Sequence, residues 1–155
     1  MKLEGGCQTT AMGIMPHSDV EKALELASSL DIPFWPQLPK VSFLEDMYAQ
    51  VSEHFPGIII DPYKRIVSFS IEKFYEDFEE YMPHWEEEEF FRLSPEYSVV
   101  FHRFLEKDLS RYEYIRDQSI GPVSYGLKIL DEFNKPMIYY DEVREVVFDF
   151  VAMAF

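Results

Sequence analysis

Apolar residues recur at helical spacing in several stretches of this chain, and short extended runs separate them. Val20, Ala23, Leu24, Ala27 and Leu30 place one apolar face on residues 19–30, and Ser18 with Glu21 forms a capping-box pattern at its start. The same grammar returns at Ser42 and Glu45, followed by Leu44, Met47, Tyr48, Val51 and Phe55 before Pro56-Gly57 stops the helix. Ile71, Phe74, Tyr75, Phe78 and Tyr81 predict a helix ending before Pro83. Ser94-Pro95 predicts a further start, with Tyr97, Val100, Phe101, Phe104 and Leu105 on the buried face. Asp141 caps a last helix carrying Val143, Val146, Val147, Phe150, Val151 and Ala154.

Between these helices, 8–15, Ile32 to Trp35 and Tyr114 to Ile120 read as short strands. The first ends at Gly13 and leaves through the Met15-Pro16-His17 turn, and the third leads into Gly121-Pro122. Ile58-Ile59-Ile60 and Ile66 to Phe69 flank the turn-rich Asp61-Pro62-Tyr63-Lys64, which predicts a β-hairpin outside the main sheet. Strand, helix, strand, long helical excursion, strand, helix is the order of an α/β fold with parallel strands. The final helix reaches Phe155 without glycine, asparagine or a basic residue to satisfy its last carbonyls, the pattern either of a chain stopped in mid-helix or of a frayed terminal helix docked on the core.

Composition narrows the picture. The 155 residues are 47% hydrophobic and 17% aromatic, ample for the core of one domain. Twenty-nine acidic against 14 basic residues give a net charge of −15, which opposes extended contact with nucleic-acid phosphates or anionic lipid. No window holds the roughly 18 uninterrupted apolar residues that span a bilayer, and no secretory apolar run opens the chain, so the expected location is cytoplasmic. Cys7, the single cysteine, cannot form an internal disulfide.

Ile32-Pro-Phe-Trp-Pro-Gln-Leu-Pro39 contains three prolines, each fixing φ and removing an N–H, so Phe34, Trp35 and Gln37 are held in a nearly fixed arrangement. Two readings stand: a pocket wall, or a stiff loop whose aromatics cover the core. Together with Thr9-Thr10-Ala-Met-Gly13-Ile-Met-Pro16-His17 and Gln118-Ser-Ile-Gly121-Pro122, the segment resembles the opening portion of the uroporphyrinogen decarboxylase and cobalamin-independent methionine synthase superfamily, especially its methionine-synthase-like members. The likeness runs along the whole chain, through Ser94-Pro95-Glu96-Tyr97 and the Pro136 to Asp141 approach to the last helix.

The resemblance implies an incomplete (β/α)8 TIM-barrel segment, with about three barrel strands interrupted by a hairpin and helical excursion. A barrel normally needs about 250 residues. The single partial domain divides as 8–57 for the first βα units, 58–113 for the excursion and 114–155 for the third strand with its helices. Such a segment leaves strand edges open, so a homo-oligomer or a complementing chain is the expected partner. In the methionine synthase branch a serine follows the glycine of the first-strand pattern, and here Ile14 stands there, which argues against homocysteine bound in the usual way. That branch holds zinc through ligands from later in its domain, so no cofactor is expected in this chain and zinc only with the rest of a barrel. The arginine-rich loop of the decarboxylase branch has no counterpart after the first strand.

Candidate substrate-binding residues are Gly13, His17, Phe34, Trp35, Gln37 and Gln118. His17 ends the first strand, where a barrel places functional side chains, and an imidazole there can bind a carboxylate or move a proton. Gln37 can donate and accept at once, and Phe34 and Trp35 offer flat apolar faces to a ring or thioether. Gln118 points into the sheet's inner face or out of it according to strand phase. His17, His54, His84, His102 and Cys7 show no paired metal-ligand spacing. The acidic run around His84-Trp85-Glu86 to Glu89 reads as a solvated face, or as a surface for a basic partner or divalent cation. Two functions follow: part of a methyltransferase-like barrel, inactive alone and lending a pocket wall to a small-molecule substrate, or a non-catalytic assembly subunit derived from such a barrel.

Overall fold

The computed structural model describes residues 6–153. The predicted end of the last helix at Ala154 and Phe155, and residues 2–5 of the leader, lie outside the described residues. Among these the chain is α/β, with six α-helices, single-turn 3-10 segments and a two-stranded antiparallel sheet.

α1 (Val20–Ser28) buries Ala23, Leu24 and Ala27 as the apolar spacing requires. Its cap is Asp19 rather than Ser18: the Asp19 carboxylate accepts the Lys22 N–H at 3.1 Å, one residue beyond the Glu21 N–H that a Ser18 capping box would take. The second predicted helix divides. Ser42 caps a 3-10 turn at Phe43–Glu45, and Asp46, extended at ψ 136°, starts α2 (Met47–Val51) by accepting the Tyr48 N–H. Glu45, expected to complete a capping box with Ser42, is thereby turned inward and buried.

β1 (Ile58–Asp61) and β2 (Ile66–Phe69) form the predicted hairpin, with Ile58 opposite Phe69 and Asp61 opposite Ile66. Gly57 enters it at φ +80°, the left-handed region in which a side chain is strained. α3 (Ile71–Tyr81) follows, capped by Ser70. The helix expected at Ser94-Pro95 starts later. Residues 94–97 close a turn in which the Tyr97 N–H reaches the Ser94 carbonyl, and Ser98 caps α4 (Val99–Leu105). α5 (Pro122–Lys128) begins on its proline, and α6 (Asp141–Met153) buries Val143, Val146, Val147, Phe150 and Val151.

The three extended segments read as strands lie side by side in chain order, joined by isolated parallel bridges, Ile14 with Gln37 and Phe34 with Arg116. Gln37 N–H donates to the Gly13 carbonyl at 2.8 Å, Met15 N–H to the Gln37 carbonyl at 3.0 Å, and Arg116 N–H to the Pro33 carbonyl at 2.9 Å. The Arg116 guanidinium also binds the Ala11 carbonyl, tying the outer segments together. Regular strands do not propagate from these bridges, because Pro33, Pro36 and Pro39 leave the middle segment without the donors a longer ladder needs.

Two apolar clusters flank this arrangement. One gathers the hairpin with α3, α5 and α6, where Phe55 meets the Tyr125 and Phe150 rings edge-on at 5.7 and 5.1 Å. The other packs α1 and α4 against the extended segments through Met15, Leu24, Phe34, Leu38 and Phe104.

Candidate functional site

Gly13, Gln37 and Gln118 come from three separate extended segments, and the parallel bridges bring them together. The Gly13 N–H donates to Gln118 Oε1 at 2.8 Å. A Cβ added at Gly13 would lie 3.2 Å from Gln118 Oε1 and 3.6 Å from Gln37 Oε1, so two amide oxygens converge on the glycine. Burial alternates along the third segment, with Arg116 and Gln118 partly buried and Asp117 and Ser119 exposed, which fixes the phase of Gln118 toward Gly13.

Behind Gln37 stands a polar chain that the sequence reading did not foresee. Gln37 is 2% exposed, and its Nε2 donates to Gln50 Oε1 at 2.8 Å. Gln50 Nε2 donates in turn to the Tyr97 carbonyl at 3.2 Å and to Glu45 Oε2 at 3.4 Å. Glu45, 1% exposed, also accepts the Val100 N–H at 3.1 Å and the Ser98 hydroxyl at 3.3 Å. Burial pushes the Glu45 carboxyl above its usual range, against the opposing pull of the Val100 N–H and the Ser98 hydroxyl.

These acceptors give the chain a direction. A carboxylate and a peptide carbonyl accept only, so Gln50 must turn its NH2 toward Glu45 and Tyr97 and its oxygen toward Gln37. Gln37 must then present its NH2 to Gln50, which leaves Gln37 Oε1 buried without a hydrogen-bond partner. The sequence signal for this network was slight: Gln50 is a single amide between Ala49 and Val51, and Glu45 had a simpler reading as a capping residue.

The other candidates are placed differently. Phe34 and Trp35 are 2% and 8% exposed and belong to the core against α1 and α4. Trp35 packs on Phe101 with ring centroids 5.0 Å apart, and its indole N–H donates to Asp117 Oδ1 at 2.9 Å. Their packing is that of core aromatics, the second of the two readings of the proline segment. His17 sits two residues beyond Met15, half-buried, with no hydrogen-bond partner for its Nδ1.

Two open clefts lie elsewhere, and of the polar chain behind Gln37 only Tyr97 borders one of them. One, of about 440 Å³, has His54, Asp77, His84 and Phe90 on its walls. The His84 ring stacks on Phe90 at 4.7 Å and its Nδ1 pairs with Glu87. The other, of about 620 Å³, places Trp85 and Met82 among Glu86, Glu142, Glu145 and Asp149. Among the described residues, no three His, Cys, Asp or Glu side chains are grouped to hold a metal ion, and no helix is long and apolar enough to cross a membrane. Comparison with protein-family models, with curated proteins and with solved structures finds no match to this chain.

Proposed function

We propose that this chain is an opening βα portion of a (β/α)8 barrel similar to the methionine-synthase-like methyltransferases, and that Gly13, Gln37 and Gln118 form part of its substrate-facing wall. The observation that supports it is the convergence of these three residues from three parallel segments, adjacent in chain order, as neighbouring barrel strands are. The wall binds and orients. It offers amide groups and a glycine but no nucleophile, so by itself it performs no methyl transfer. The whole barrel would move a methyl group to a thiol or a corrinoid carrier, with any zinc held by residues outside this chain. The reading frame beyond the Phe155 codon tests the proposal. An open frame encoding further βα units with His, Cys and Glu ligands is the expected result, and an immediate stop with stable expression of the short form refutes it.

That second outcome supports the assembly-subunit reading, which a separate observation favours. Met12, Ile14 and Ile115 are 70%, 46% and 49% exposed on the outer segments of the parallel set. Apolar side chains beside unpaired segment edges invite a second copy or a complementing chain. Light scattering after size exclusion then gives a mass above that of the 18.4 kDa monomer. A stable monomer counts against it.

A further inference from the structure

The larger cleft, of about 620 Å³, is an open groove between the end of α3 with its following turn and α6. Phe78, Met82, Trp85 and Val146 give it an apolar floor. Met82 is 48% exposed, and the half-buried Trp85 ring is held edge-on by Tyr81 with centroids 5.8 Å apart. Exposed carboxylates rim this floor. Glu142, Glu145 and Asp149 stand at i, i+3 and i+7 on one face of α6, and Glu86 belongs to the turn side. Like charges at these spacings repel one another and weaken the helix that carries them. Among the described residues none of the four is paired with a lysine, arginine or histidine. Arg144, the one basic residue of α6, pairs with Asp141 at 2.9 Å instead.

We propose that this groove docks a basic amphipathic helix of a partner protein, its apolar side chains set on Met82 and Trp85 and its lysines or arginines paired with the α6 carboxylates. An apolar floor inside an acidic rim is complementary to such a helix in both hydrophobicity and charge. Glu142 to Asp149 covers about 10 Å of helix rise, so a partner helix laid along α6 meets the three carboxylates with cations spaced at i, i+3 or i+4, and i+7. The flexible Met82 thioether adapts to different apolar anchors, and a cation over the Trp85 face gains a cation–π contact. A second copy of this chain fits poorly, because it brings a net charge of −15 to an acidic rim. The groove shares no residue with Gly13, Gln37 or Gln118, so the partner site stands or falls apart from the barrel reading.

The full chain is titrated with a synthetic helical peptide that has leucines on one face, lysines flanking them and no tryptophan. Calorimetry and tryptophan fluorescence follow binding. Saturable binding that weakens with added salt is expected, with an emission change that Trp85→Phe removes. Glu145→Gln with Asp149→Asn weakens binding about fivefold, the size of two exposed ion pairs. Glu76→Gln with Glu79→Gln makes the same change of charge at exposed α3 positions outside the groove and leaves binding unchanged. Removing two exposed, mutually repelling carboxylates does not lower the melting temperature, so lost binding is not lost fold. No saturable binding, or an equal loss in the two double variants, overturns the proposal. Equal binding of a peptide with serine in place of leucine also overturns it and leaves a site for any polycation. A light-scattering mass that falls to the monomer in Met82→Asp assigns the groove to a second copy and overturns it as well.

Discussion

Removing the Glu45 carboxylate tests whether the polar chain behind Gln37 is a built feature of the fold. Glu45→Ala takes an acceptor from three donors, the Val100 N–H, the Ser98 hydroxyl and Gln50 Nε2. Gln50 retains the Tyr97 carbonyl and the Ser98 hydroxyl can rotate, but the Val100 N–H lies in the first turn of α4 with no intrahelical partner. One stranded buried donor, two weakened bonds and the lost side-chain packing together give a destabilisation of about 2–4 kcal/mol. Glu45→Gln keeps the shape and one acceptor oxygen but sets its NH2 against that of Gln50, so about 1 kcal/mol is expected.

The two variants also differ in pH response. Burial raises the Glu45 pKa in the folded chain above its unfolded value near 4.5, so the folded state holds this proton more tightly. The resulting stability is fully present below the unfolded pKa and is lost as pH rises through the raised folded value. A glutamine does not titrate, so the deficit of Glu45→Gln relative to the wild type is larger at pH 5.5 than at pH 7.5. Urea unfolding followed by tryptophan fluorescence at those two pH values measures both effects. A cost below about 1 kcal/mol for Glu45→Ala, or a Glu45→Gln deficit that grows with pH, refutes the reasoning.

Further expectations follow from other sites. A Cβ at Gly57 would stand 2.7 Å from Phe74 Cβ and 2.8 Å from the Ser70 carbonyl at φ +80°, so Gly57→Ala should lower the melting temperature, with a cost of about 1–3 kcal/mol. Gly126→Ala should also destabilise, although alanine is the better helix former, because its Cβ would meet Ile138 Cβ at 2.8 Å; a rise in melting temperature would contradict this packing. Ser52 Oγ and the Tyr125 hydroxyl are buried 3.0 Å apart, and a double-mutant cycle of Ser52→Ala with Tyr125→Phe should show a coupling of about 0.5–1.5 kcal/mol. Asp131 accepts the Tyr140 hydroxyl at 2.6 Å and pushes that phenol up to about 12. The phenol's contribution is lost as pH rises through the folded value, so the stability gap between wild type and Tyr140→Phe should be level from neutral pH to pH 10 and then close.

Periodicity and turn chemistry carried much of the local structure. Ile71 to Tyr81 became α3, the runs around Asp61-Pro62-Tyr63-Lys64 became the hairpin, and the apolar stripe from Val143 to Val151 became the buried face of α6. These patterns are local, and the same side chains that set the period are the ones buried. Boundaries were less legible, because chains such as Ser18-Asp19 and Ser42 to Asp46 offer neighbouring caps of similar strength and tertiary packing chooses between them.

The proline-fixed segment from Ile32 to Pro39 shows where sequence stops and tertiary structure decides. Its stiffness, its extended geometry and its lack of ladder donors follow from the prolines alone. Which of its side chains face the core depends on what packs against them, and α1 and α4 take Phe34 and Trp35 while Gln37 turns toward Gln50 and Gly13. The unpartnered oxygen of Gln37 could not be read from the chain. Its direction is set by the acceptors at Glu45 and Tyr97, eight and sixty residues away, which only the fold brings into one hydrogen-bonded row.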